Sequence, residues 1–146
     1  MKKKRLDYLL IPNSSGKRKK NRINRAVEET GKRGIKNILL LDGKDSEEDI
    51  LYLGKILKNK ERIGFVTFPL HYKEYKIIIK KARRDGIFPK KIKIENIKTK
   101  QTEKDKIYGE IGILEEQIKQ RKLTYRKERN EKIWQMIKWP IKKLLS

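Results

Sequence analysis

His71 is the only histidine in a chain of 146 residues, and cysteine is absent. Imidazole is therefore the one side chain here whose ordinary pKa lies near neutrality, which makes His71 the candidate catalytic acid or base. It stands just past Arg62-Ile63-Gly64-Phe65-Val66-Thr67-Phe68, a strand-like run closed by Pro69, where α/β folds form ligand crevices. A surface or capping histidine with no ligand would have the same local sequence.

A second group follows the apolar run Ile38 to Leu41. In Asp42-Gly43-Lys44-Asp45-Ser46-Glu47-Glu48-Asp49, the residues Asp42, Gly43, Ser46 and Glu47 are candidate ligand contacts, with Asp42 or Glu47 suited to a hydroxyl or amine. Helix capping accounts for the same pattern: Asp45 or Ser46 can cap, and the acids sit where the helix dipole favours them. The third group is Ser14, Ser15 and Gly16, followed by Lys17 to Lys20 and then Arg22. Small residues with free N–H groups beside cations can hold a phosphate or carboxylate at a helix start, although neither dinucleotide nor P-loop spacing is present. No pair of histidine or carboxylate residues has metal-ligand spacing, so no tightly bound transition metal is expected. No cofactor class is indicated.

The elements that must position these groups can be read in order. Leu6 to Ile11 is a strand, apolar on both faces as befits the middle of a parallel sheet. A helix is expected from Asn21, with Ile23, Ala26 and Val27 on its buried face, stopping at Gly31 and Gly34. Ile35 to Leu41 is a second, buried strand, which completes a βαβ unit. Ile50, Leu51, Leu53, Ile56 and Leu57 supply the inner face of the next helix, and Tyr75 to Ala82 mark the one after His71. Lys91 to Ile97 alternates lysine with apolar residues, the pattern of a half-exposed edge strand. Ile107, Ile111, Leu114 and Ile118 then form a helical stripe.

The formal charge of +22, from 41 Lys and Arg against 19 Asp and Glu, favours polyanionic partners. Compositional enrichment in lysine and isoleucine, from an AT-rich genome or a hot habitat, would produce the same excess. From Lys119 to Ser146 there are ten Lys or Arg and two Glu, with Trp134 and Trp139 among apolar residues. Such a segment suits an anionic membrane surface, the protein's own core or a second subunit, while Pro140 argues against one continuous helix. No apolar run is long enough for a transmembrane segment. The lack of cysteine fits a cytoplasmic protein, peripheral at a membrane at most.

Together these pieces resemble the YdcF-like family, which includes the SanA and ElyC envelope proteins, over roughly Leu6 to Gln120. The matching positions are Arg22 before Ala26, Asp42-Gly43 with Ser46-Glu47, Thr67 followed by His71, and Glu110 within Tyr108-Gly109-Glu110-Ile111-Gly112. The chain departs from that pattern by lacking a strand and helix between the Ser-Glu helix and the histidine strand. It also has Lys73 and Glu74 where the family has Arg after the histidine, and Asn13, Ser14 and Ser15 in place of a glycine pair. The resemblance implies a Rossmann-like fold with a polar crevice at the strand ends, to which Lys73 would contribute as a ligand contact, and it implies no known reaction.

The expected architecture is an α/β, Rossmann-like three-layer sandwich with a small, mostly parallel sheet over residues 1–120, and a basic amphipathic extension over 121–146. The expected function is binding of a small-molecule or nucleotide-like anionic ligand, as a receptor or as an enzyme acting on a phosphorylated or envelope-related substrate. The alternative is a basic nucleic-acid-binding module without catalysis.

Overall fold

The computed structural model describes residues 4–14, 16–100 and 110–145, and the side chains of these apart from 110, 111 and 138–145. Strands β1 (Leu6–Pro12), β2 (Ile35–Leu41), β3 (Arg62–Thr67) and β4 (Lys93–Lys98) are joined by helices α1 (Gly16–Lys32), α2 (Ser46–Ile56) and α3 (Pro69–Arg84), and α4 (Glu110–Leu145) follows β4. All four strands are parallel and lie in the order β2-β1-β3-β4. The result is a Rossmann-like α/β sandwich, with α1 on one face of the sheet and α2 and α3 on the other.

The strand order reverses between β1 and β3, because β1 leads outward to β2 and the chain then returns past β1 to build β3 and β4. At such a switch point the loops after the two central strands diverge and leave a crevice at the carboxyl edge. Leu9, Leu10 and Ile11 in β1 and Phe65 and Val66 in β3 are buried, so both faces of the central pair are covered.

The two faces are filled unequally. Beneath α2 and α3, Leu10, Leu41, Phe65, Tyr75, Ile79 and Phe88 belong to one large apolar cluster. Gly54 allows α2 to approach the chain at Ile87 so closely that a Cβ there would lie 2.1 Å from the Ile87 carbonyl oxygen. Beneath α1 the cluster is small, and α1 turns Arg22, Ala26 and Glu29 toward the sheet, with Arg33 buried just past its end.

Here the expected pattern needs correction. Ala26 is buried as expected, but Ile23 and Val27 are exposed, because the buried stripe of α1 runs through Arg22, Ala26 and Glu29. Helix α1 also starts at Gly16 rather than Asn21 and runs through Gly31, so the basic run Lys17 to Lys20 is its first turn and not a loop. Strand β2 is not buried on both faces: Ile38 and Leu40 are exposed. They point to the α1 side, where α1 lies over β1, β3 and β4 instead of over β2.

Helix α4 is a single helix across the composition change near Lys119 and through Pro140. Proline there removes one main-chain bond close to the helix end without stopping it. Ile118 and Tyr125 are buried, and the ion pairs Lys81–Glu128 (3.5 Å) and Asp85–Lys132 (3.0 Å) are each offset by 47 residues, so α4 runs parallel to α3. Past Lys132 the helix leaves α3 behind and exposes Ile133, Trp134, Met136 and Ile137. Ile107 and the side chains of Ile111 and Trp139 lie outside the described residues. Among the described residues no helix is long and apolar enough to cross a membrane.

Candidate functional site

Four elements converge at the carboxyl edge of the central strands. Thr67 ends β3, His71 lies in the first turn of α3, Arg22 rises from α1, and Ser46 opens α2. The Arg22 guanidinium donates to Pro12 O (2.9 Å) and Asn13 O (3.2 Å), which ties the loop after β1 to α1, and its other nitrogen donates to Thr67 Oγ1 (3.2 Å). Thr67 Oγ1 lies 2.8 Å from His71 Nδ1, and His71 Nε2 lies 3.4 Å from Ser46 Oγ.

The direction of this relay follows from its first member. Arginine only donates, and its Nη2 lies 3.2 Å from Thr67 Oγ1 and 3.5 Å from His71 Nδ1, so Nδ1 faces a donor that never accepts and takes the Thr67 hydrogen as an acceptor. The neutral imidazole then carries its hydrogen on Nε2, facing Ser46. A Ser–His pair that activates serine needs the opposite tautomer, with an acid behind Nδ1. With arginine in that place the relay favours a positioned hydrogen-bond donor over a serine nucleophile.

His71 is packed between the rings of Phe68 (5.9 Å between centroids) and Tyr75 (4.6 Å). Burial, reinforced by the positive charges of Arg22 and Arg18, lowers its pKa to about 3. At neutral pH it is an uncharged group with little capacity as a base, because a proton shuttle works best with a pKa near the working pH.

The turn after β2 is fastened from behind. Asp45 caps α2 by accepting from Glu48 N (2.8 Å). Buried Asp49 accepts from Gly43 N (2.9 Å) and from the Tyr75 hydroxyl (3.0 Å), binding the turn to α3. A Cβ at Gly43 would sit 2.5 Å from the Asp49 carboxylate, so only glycine fits. Burial raises the pKa values of both Asp49 and Tyr75, and their mutual bond raises that of the tyrosine further.

The structure thus brings together Arg22, Ser46 and His71, with Gly43 in their support. Ser14 belongs to the same loop as Asn13, and its hydroxyl is buried with no hydrogen-bond partner among the described residues. Gly16 begins α1 with φ of +60°. Asp42 is exposed at the rim, and Lys73 is exposed on α3 outside the cluster. Glu47 is directed away from it: its carboxylate accepts from the Tyr125 hydroxyl (2.8 Å) and pairs with Arg121, so it fastens α4. Ser15 and the side chain of Glu110 lie outside the described residues. Among the described residues no three histidine or carboxylate groups converge as metal ligands would.

Asp49 and Tyr75 were not singled out from the sequence, although Tyr75 stands four residues after His71 on one helix face. That spacing is a usable signal, whereas nothing local marks Asp49 as facing inward. Comparison with protein-family models, with curated proteins and with solved structures gave no match to this chain.

Proposed function

We propose that the chain binds a small anionic ligand, of the phosphoryl or carboxylate class, in the crevice between the first turn of α1 and the turn that starts α2. The observation that carries this reading is the start of α1. Its first turn has no acid and carries Lys17, Arg18 and Lys19, with Lys20 next, at the end where the helix dipole is already positive. Helix α2 has the usual arrangement, with Glu47, Glu48 and Asp49 in its first turn. Like charges against a dipole cost a few tenths to about 1 kcal/mol each, and a bound anion would relieve that cost. The neutral imidazole and the Ser14 hydroxyl, which has no partner among the described residues, supply polar groups on the same edge. The YdcF-like resemblance is in keeping with a phosphorylated or envelope-related ligand, and if there is catalysis, His71 acts in it as a neutral hydrogen-bonding group.

The test is thermal unfolding with inorganic phosphate, nucleoside phosphates and sugar phosphates at moderate salt, on the wild type and on His71→Ala. A ligand at about 100 times its Kd adds about 2.7 kcal/mol, which shifts Tm by several degrees. The expected result is a shift from one small anion that shrinks in His71→Ala, together with a rise in the imidazole pKa above about 3 on binding, read by NMR. Equal shifts of both proteins by polyanions alone would overturn the reading.

A second reading rests on the groove between α3 and α4, about 380 Å³ in volume. It is lined by Lys80, Lys81, Arg84, Lys122, Arg126 and Arg129 around Tyr125 and Ile77. Six cations along one channel suit the phosphates of a nucleic acid, and such binding would weaken steeply with salt. Attachment of the projecting end of α4 to an anionic membrane surface is compatible with either reading.

A further inference from the structure

One side of α4 changes character along its length. By helical spacing Lys122, Arg126, Arg129, Ile133, Met136 and Ile137 all fall on that side. The first three are exposed cations, which line the groove between α3 and α4 together with the exposed Lys80 and Arg84 of α3. The last three are exposed apolar residues, and they stand where α4 has run past the end of α3. Met136 is 76% exposed, and Trp134, at the margin of the stripe, 55%.

The acids nearest this side are spent or turned away. Glu128 pairs with Lys81 (3.5 Å), and Asp85 at the end of α3 is held by Lys81 and Lys132 (3.0 Å each). Glu131, two residues past Arg129, falls on the far side of the helix. From Ile133 onward the sequence adds three lysines and no acid, and its apolar spacing continues at Ile141 and Leu144.

We propose that this side of α4, with the cationic flank of α3, docks on an anionic lipid surface. The two halves of the face require a partner that is negatively charged at one depth and apolar at the next. A headgroup layer over acyl chains is both. The cations of the groove meet the headgroups, and Ile133, Met136 and Ile137 enter the boundary beneath them, with Trp134 at the level where indole rings settle. The stretch from Ile133 to the helix end at Leu145 is shorter than the roughly 20 residues that a span needs, so it lies in the interface without crossing it.

Neither other occupant suits both halves. A nucleic acid neutralises the groove but leaves Ile133, Met136 and Ile137 in water. A second copy of the chain could cover those three, but it would set one cationic row against another. Each cation held at an anionic lipid surface strengthens binding about fivefold, and the attraction fades within about 8 Å at physiological ionic strength. Only cations on the contacting face therefore count, however basic the rest of the chain is. Lys80 and Arg84 lie in the second half of α3, whereas His71 is in its first turn, so the proposal does not rest on ligand binding in the crevice.

Flotation of the nuclease-treated full chain with phosphatidylcholine vesicles, with and without phosphatidylglycerol, tests the proposal. The chain has two tryptophans, Trp134 and Trp139, so its intrinsic fluorescence reports on this end of α4. The expected result is recovery with the anionic vesicles only, accompanied by a blue shift of the emission as indole leaves water. Binding should be weaker by about tenfold or more in Arg126→Gln/Arg129→Gln and in Ile133→Gln/Ile137→Gln, with unchanged far-UV circular dichroism. Lys32→Gln/Lys36→Gln, which removes the same charge from α1 and β2, should bind within about twofold of the wild type. Equal recovery with neutral vesicles, or none with anionic ones, overturns the proposal. So does binding that survives Ile133→Gln/Ile137→Gln, or that Lys32→Gln/Lys36→Gln weakens as much as the groove pair does, since either is plain adsorption of a basic chain. Binding of a short oligonucleotide that depends on Arg126 and Arg129, in a chain that anionic vesicles do not recover, would overturn it in favour of nucleic acid.

Discussion

Beneath α2 and α3 the sheet buries Leu10, Phe65, Tyr75 and Ile79 in one apolar cluster. Beneath α1 it buries Leu9, Ile11 and Val66 beside a charged network. There Glu29 is fully buried and accepts from Arg25 (2.9 Å) and Arg33 (3.3 Å), and Arg33 reaches on to Glu95 (2.7 Å). Burial works against the Arg33 charge, but Glu95 and Glu29 outweigh it and hold its pKa above the ordinary value. The two faces are therefore held by different physics, and only the α1 face is left partly uncovered. With its sheet-facing stripe given to arginine and glutamate, α1 has its apolar residues on its flank, where β2 is bare.

Substitutions can separate the two faces. Phe65→Ala, in the large cluster, should cost about 3 to 5 kcal/mol by urea unfolding, since it leaves a cavity beside Tyr72 and Tyr75. Glu29→Ala should cost about 3 kcal/mol, because it removes the shared acceptor of two arginines and leaves the buried Arg33 with only the half-buried Glu95 and the Lys4 carbonyl. A loss under about 1 kcal/mol there would mean that the charged network does not hold the face, and the contrast would collapse.

The pH dependence should come from the site between the faces. The unfolded imidazole of His71 takes up its proton near 6.5 and the folded one only near 3. Between those values the unfolded state binds more protons, so stability falls as pH drops through that window. His71→Gln should flatten this part of the profile. Asp85, whose bonds from Lys132 and Lys81 hold its carboxyl below the usual range, adds a loss of the same sign at lower pH, and Asp49, raised by burial, opposes it. The smallest effect is expected at Val27→Ser, within about 0.5 kcal/mol by urea unfolding, because Val27 is exposed.

Much of this was legible from local pattern. The bounds of β2, a cap at Asp45 or Ser46, the edge position of β4 and the placement of Ser46 and His71 at the carboxyl edge follow from short-range rules: periodicity, capping chemistry and the carboxyl-edge rule for parallel sheets. The direction of Glu47 was not legible, since its partners Arg121 and Tyr125 lie more than seventy residues away. The inward turn of Arg22, Glu29 and Arg33 was also hidden, because charged residues face inward only when a distant element supplies their partners.

By itself the sequence determined an α/β chain with parallel strands, a basic surface and one histidine at a strand end, since these depend on residue type and spacing along the chain. Tertiary structure alone decided that the histidine is neutral, that Glu47 serves α4, and that one edge of the sheet stays apolar and open. Those outcomes depend on which charges and which surfaces the fold brings within a few ångströms of each other.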